Sequence, residues 1–205
     1  MVLPNKTCKG QRYSLPALNT AVKKYCAKDI EAFFKQQDQH ISHVLVAHTR
    51  FHAYGKTKQQ LGELARASSR DLRHALNHFG RLLYPSAQNK VRRNPYRYRP
   101  LTIVTLEGAR ETTNPALTLH FNICLGNLPT LLTTDDIRTL FTHAWHIQAH
   151  QSDNVMAYDY TVHPTKTWLG YQLKEAQQQP TSAWETSGVW DVENCWIPHA
   201  AFRAD

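Results

Sequence analysis

The clearest pattern in the chain is an alternation. Leu117, Leu119, Phe121, Ile123 and Leu125 fall on one parity, and Thr118, His120, Asn122 and Cys124 fall on the other. A period of two marks a β-strand with one face in a core. The run Leu-Thr-Ile-Val-Thr-Leu-Glu before it is apolar until it ends in Glu107. The pattern predicts a hairpin of strands over about 101–107 and 116–125, joined by the polar loop 108–115 and closed by Gly126, Asn127 and Pro129. On one sheet surface this hairpin can bring together a carboxylate (Glu107), an imidazole (His120) and a side-chain amide (Asn122), a donor set suited to a divalent metal.

Elsewhere the spacing alternates between the two periods. Ile41–His52 is rich in β-branched residues and predicts a central strand over about 42–51, because its middle is apolar on both sides. Tyr54-Gly55-Lys56-Thr57-Lys58 reads as a turn. A helix over about 57–84 follows, with Leu61, Leu64, Ala65, Leu72, Ala75, Leu76, Phe79, Leu82 and Leu83 in one stripe and Pro85 ending it. Thr133-Thr134-Asp135-Asp136 offers an N-cap and first-turn acids for a helix over about 134–150. Val155–Val162 predicts another strand, and a helix over about 165–178 follows the turn at His163-Pro164-Thr165. At the N-terminus, 1–14 reads as a lead-in and Pro16 opens a helix over about 16–37.

Apart from that first helix, the order is β-α-β-β-α-β followed by a helix. It predicts an α+β fold: an antiparallel sheet with split βαβ (ferredoxin- or RRM-like) topology. Helices cover one face, and the active site lies on the other, which the last helix crosses. Three regions follow: 1–40, a lead-in and a helix packed on the core; 41–178, the main domain; and 179–205, a tail in which Trp184, Trp190 and Trp196 clamp onto the body.

Composition narrows the class. The chain has 205 residues, 41% hydrophobic and 20% charged, which suits a soluble domain with a real core. No apolar run approaches the roughly 18–20 residues of a membrane span, and the N-terminus has no signal-peptide core. Cys8, Cys26, Cys124 and Cys195 form no Cys-x-x-Cys pair, so reduced thiols in a cytoplasmic setting are expected. The formal net charge of +8 points to a polyanionic partner. That charge is densest over 86–100, where Lys90, Arg92, Arg93, Arg97 and Arg99 are interleaved with Tyr96 and Tyr98. Such a stretch suits single-stranded nucleic acid, with Arg on phosphates and Tyr on bases. It equally suits a solvated loop whose tyrosines cover a sheet edge. His143, His146 and His150 would share one side of their helix, a second place where a metal can be held.

The element order, together with three short motifs, resembles the HUH endonucleases that initiate rolling-circle replication in small circular single-stranded DNA viruses, plasmids and filamentous phages. The resemblance covers about 42–178. Val44-Leu45-Val46-Ala47-His48-Thr49-Arg50 is similar to the family's first motif, a strand ending in Thr and a polar residue. His120-Phe121-Asn122 is similar to its His-hydrophobic-His or His-hydrophobic-Gln, with Glu107 as the acidic residue on the neighbouring strand. Tyr171-Gln172-Leu173-Lys174 is similar to its Tyr-x-x-Lys. Asn122 departs from the family, standing where it has His or Gln.

The resemblance implies a nicking and rejoining reaction on single-stranded DNA at a replication origin. Glu107, His120 and Asn122 would hold Mg²⁺ or Mn²⁺, Tyr171 would be the nucleophile, and Lys174 would assist it. Thr49 and Arg50 would contact DNA with the basic stretch. Tyr158 and Tyr160 are alternative nucleophiles. A separate helicase and polymerase would be partners, in the cytoplasm or, for a eukaryotic virus, the host nucleus. No Gly-x-x-x-x-Gly-Lys-Ser/Thr loop occurs in the chain. A non-catalytic RRM-like single-strand binder and a related transposase or relaxase are the competing readings.

Overall fold

A computed structural model describes residues 36–108, 114–161, 168 and 191–197. Four strands, β1 (Ile41–His52), β2 (Leu101–Glu107), β3 (Thr118–Gly126) and β4 (Val155–Asp159), form one antiparallel sheet in the order β2-β3-β1-β4. The helix α1 (Lys58–Leu83) connects β1 to β2. The helix α4 (Thr134–Thr142), extended by a π-helical turn over His143–Gln148, connects β3 to β4. This is the split βαβ arrangement. The two central strands, β1 and β3, come from distant parts of the chain, and each outer strand is reached through a helix or a hairpin.

Local chemistry accounts for the element ends. Thr57 caps α1 with a complete capping box: its hydroxyl accepts from the Gln60 amide, and the Gln60 side chain accepts from the Thr57 amide. Thr133 and Asp136 do the same for α4. The segment 86–100 is not an irregular loop. It forms two short helices, α2 (Gln88–Arg93) and α3 (Pro95–Tyr98). Pro95 opens α3, where a missing amide hydrogen costs nothing. The helix expected over 134–150 keeps regular α geometry only to Thr142. The helices expected over 16–37 and 165–178, together with Trp184 and Trp190, lie outside the described residues, apart from positions 36, 37 and 168.

The main core lies between the sheet and α1 and α4. Leu72, Ala75 and Phe79 of the α1 stripe are fully buried with Phe141 and Trp145, against Leu45, Leu106, Leu119, Phe121 and Ile123 of the sheet. Each large apolar side chain removed from water contributes about 1.5–3 kcal/mol before conformational entropy is subtracted. Phe141 and Phe121 meet the Phe79 and Trp145 rings, respectively, edge-on, at centroid separations of 5.4 and 6.0 Å.

The second sheet face carries its own apolar cluster at one end: Ile41, Val44, Leu101, Ile103 and Cys124, with Tyr160, Trp168 and Ile197 packed against it. The outer edge of β2 is also occupied. Residues 191–197 run along it, with Thr102 and Trp196 exchanging two backbone hydrogen bonds of 2.8 Å. Pairing this edge removes a template for intermolecular strand addition. Asn194 fastens the segment to α1, its side-chain amide donating to the Ser69 carbonyl at 2.8 Å, and an Arg73–Glu193 ion pair lies alongside. Among the described residues no helix is long and apolar enough to cross a membrane.

Candidate metal and nucleic-acid site

Strand register puts three polar side chains in one row across the second face. Glu107 of β2 pairs with His120 of β3, and His120 pairs with His48 of β1. Partners in adjacent strands project to the same side, so the row is a direct product of pairing. Glu107 Oε2 lies 3.4 Å from His120 Nε2. The His48 ring stacks on the His120 ring with centroids 5.1 Å apart and planes 25° apart. Glu107 is 1% exposed, and the two imidazoles are half-buried.

Thr118 orients both rings. Its carbonyl oxygen lies 3.3 Å from His120 Nδ1, which donates to it, and its hydroxyl lies 2.8 Å from His48 Nδ1. With Nδ1–H committed to a carbonyl, His120 Nε2 is the ring atom that faces the carboxylate. The chain turns sharply beside this row. Gly108, directly after Glu107, has φ +86°, and a Cβ there would lie 2.7 Å from the Thr118 carbonyl oxygen, so only glycine lets the hairpin leave β2 at that point. On the core side, Trp145 Nε1 donates to the His48 carbonyl at 2.8 Å, tying the β1 backbone to α4's extension.

Burial, and then the neighbouring His120, hold the His48 imidazole below the usual histidine range. Its ring is therefore predominantly neutral at pH 7, with a lone pair to offer.

Asn122 does not join this row. It lies one step along β3, paired with Thr105 and Val46, and is 1% exposed. The Asn122 amide nitrogen and the Thr105 hydroxyl beside it are buried and find no hydrogen-bond partner among the described residues. Of the expected ligands, the fold thus brings Glu107 and His120 together and sets Asn122 apart. His48 was missed because its place in the row depends on register. The only signal in the sequence was a histidine on the same parity as Val44 and Val46.

The donor chemistry fits a divalent cation. Two ligands of one ion at bonds near 2.1 Å lie about 3.0–3.4 Å apart, and the Glu107–His120 separation falls in that range. Among the described residues no three His, Cys, Asp or Glu side chains already converge on one point; His48 is stacked beside His120. The histidines of 143–150 do not form a set either. A π turn breaks the 3.6-residue period their alignment presupposed. His143 stacks on His78 at 5.9 Å, His146 bonds the Gln151 carbonyl, and His150 adopts φ 55°.

The remaining expected contacts divide. Thr49 is buried, its hydroxyl donating to the Leu119 carbonyl at 2.8 Å, so its side chain serves strand pairing. Arg50 is exposed, with its guanidinium over Phe51. Lys90, Arg93 and Arg97 are exposed on α2 and α3, and Arg92 lies in α2 between them. The interleaved aromatics turn inward: Tyr98 packs edge-on to Tyr84 at 5.5 Å, Tyr96 lies 5.7 Å from Trp196, and Arg99 sits 4.5 Å over the Trp196 ring. Tyr96 thus covers the sheet edge at Trp196, and Lys90, Arg93 and Arg97 remain outside. This basic edge adjoins Leu101, at the end of β2 opposite Glu107, about 20 Å along the strand.

Tyr158 and Tyr160 stand toward the apolar end, away from the His48 row. Burial and a hydrogen bond to Asp38 push the Tyr160 phenol above its ordinary range, the wrong direction for a nucleophile. Tyr171 and Lys174 lie outside the described residues. The chain matches no protein-family model, no curated protein and no solved structure, so the site's reading rests on its own residues.

Proposed function

We propose that this protein nicks and rejoins single-stranded DNA by metal-assisted transesterification through Tyr171, as an initiator of rolling-circle replication. The observation that carries the reading is the Glu107–His120 pair, a carboxylate and an oriented imidazole 3.4 Å apart on the sheet face opposite the helices. Trp168, three residues before Tyr171 in the chain, packs on that same face.

Glu107 and His120 would hold Mg²⁺ or Mn²⁺, which when bound polarises a scissile phosphate. The Tyr171 oxygen forms a bond to phosphorus while the bond to the 3′ oxygen breaks. The products are a 5′-phosphotyrosine and a free 3′-hydroxyl, and attack by a 3′-hydroxyl reverses the step. A phenol with an ordinary pKa near 10 needs a nearby cation at neutral pH, a role that suits Lys174, three residues on. Exposed Lys90, Arg93 and Arg97 supply phosphate contacts. A helicase and a polymerase would be separate partners.

A non-catalytic single-strand binder is the second reading, favoured by one observation: Asn122 replaces the family's second imidazole and is buried away from the Glu107 row. End-labelled random-sequence single-stranded DNA incubated with Mn²⁺ separates the two. The enzyme predicts a denaturant-resistant protein–DNA adduct that Tyr171→Phe abolishes. Binding without any adduct, or an adduct undiminished in Tyr171→Phe, overturns the proposal.

A further inference from the structure

Asn122 stands where a second imidazole would be expected two residues along the same strand, yet an imidazole is present one strand over. We infer that His48 of β1, and not Asn122, is the second imidazole for a divalent cation bound beside Glu107 and His120, an inference that rests on reading this face as a metal-assisted site.

Three observations carry it. Glu107, His120 and His48 are successive register partners across β2, β3 and β1, so their side chains leave the sheet on one line. A single residue, Thr118, engages the Nδ1 atoms of both histidines, by its carbonyl at 3.3 Å and its hydroxyl at 2.8 Å. The Nδ1 edge of each ring is thereby engaged, the arrangement by which a protein presents the Nε2 edge of an imidazole to a metal, and His120 Nε2 already faces Glu107. Asn122, in contrast, lies in the adjacent row with Thr105 and Val46. The two imidazoles stack in this conformation, and bringing His48 Nε2 toward Glu107 would take a side-chain rotation that gives up the His48 Nδ1 contact with the Thr118 hydroxyl.

The test measures Mn²⁺ binding to the full-length protein without DNA, by calorimetry and by loss of the free-ion electron-spin-resonance signal. His48→Ala and His120→Ala are expected to weaken binding by about tenfold or more, and Asn122→Ala by about twofold at most. His48→Gln, which keeps the side-chain bulk, provides a second variant should His48→Ala fail to fold. Binding by the His48 variants equal to wild type, or an Asn122→Ala loss as large as that of His120→Ala, overturns the inference, as does a wild type that takes up no Mn²⁺ at millimolar concentration. The adduct assay separates this from the nicking reading. His48-dependent Mn²⁺ uptake without any adduct supports the site while removing the reaction. An adduct with His48-independent Mn²⁺ binding does the reverse.

Discussion

Gly126→Ala puts the strand pairing to a direct test. Gly126 ends β3 and pairs with Leu101 of β2 on one side and Ile41 of β1 on the other. A Cβ at that position would fall far inside van der Waals contact of the His40 carbonyl oxygen, and 3.0 Å from its carbon. The obstacle is backbone, so no rotamer change relieves it. Roughly an ångström of strand movement is needed, and hydrogen bonding on both flanks resists it. Overpacking of this kind costs about 1–3 kcal/mol. For a chain of this size each kcal/mol lowers the melting temperature by about 2–4 °C, so a cost near 2 kcal/mol predicts a fall of about 6 °C.

Gly80→Ala is the paired control. Gly80 lies inside α1, and its Cβ would meet nothing within 4 Å. Removing a helix-interior glycine should raise stability by about 0.5–1 kcal/mol. Thermal and urea unfolding of both variants, followed by circular dichroism, give the comparison. A Gly126→Ala protein that melts at or above wild type would refute the β1–β3–β2 pairing at this end of the sheet.

Two further outcomes follow from local chemistry. Thr57→Ala removes the exposed cap of α1 and should cost about 1 kcal/mol in urea unfolding. The second concerns Asp191, whose carboxyl burial pushes above its ordinary range, against the donated hydrogen bond from Asn194. A carboxyl with a raised folded-state pKa stabilises below its unfolded value of about 3.8 and loses that contribution as pH rises through the folded value. Asp191→Asn should therefore gain on wild type as pH is raised from 4 to 7; an advantage that shrinks over that range would reverse the sign of the argument.

Much of the scaffold could be read from periodicity because it depends on local spacing. The parity of Leu119, Phe121 and Ile123 against His120 and Asn122 assigned both faces of β3, and all three apolar residues are fully buried. The α1 stripe through Leu72, Ala75 and Phe79 is buried as its spacing requires. Other features resisted. The segment 86–100 reads as a loop because Asn94, Pro95 and Pro100 interrupt any pattern, yet the interruptions are too widely spaced to prevent single helical turns. The π turn at His143–Gln148 left no trace in the sequence; Trp145 within it packs on Phe121 and Phe141 and bonds the His48 carbonyl, contacts made only in the tertiary structure. The second face was expected to lie under the last helix; Trp168 of that stretch packs on its apolar end, and Tyr160 and Ile197, which the pattern did not assign there, pack beside it.

Among the described residues, the sequence by itself determined the four strands and the two connecting helices, their order and the face that their apolar residues occupy. Period-two and period-3.6 burial patterns act within a dozen residues and need no knowledge of the fold. Only the tertiary structure decided which residues become lateral neighbours. His48 reaches Thr118 from 70 positions away, and Trp196 pairs with Thr102 across a comparable span of chain. Parity says that His120 and Asn122 share a face. It cannot say that Glu107 and His48 flank the first of them and Thr105 and Val46 the second, because register is settled by the packing of the whole sheet.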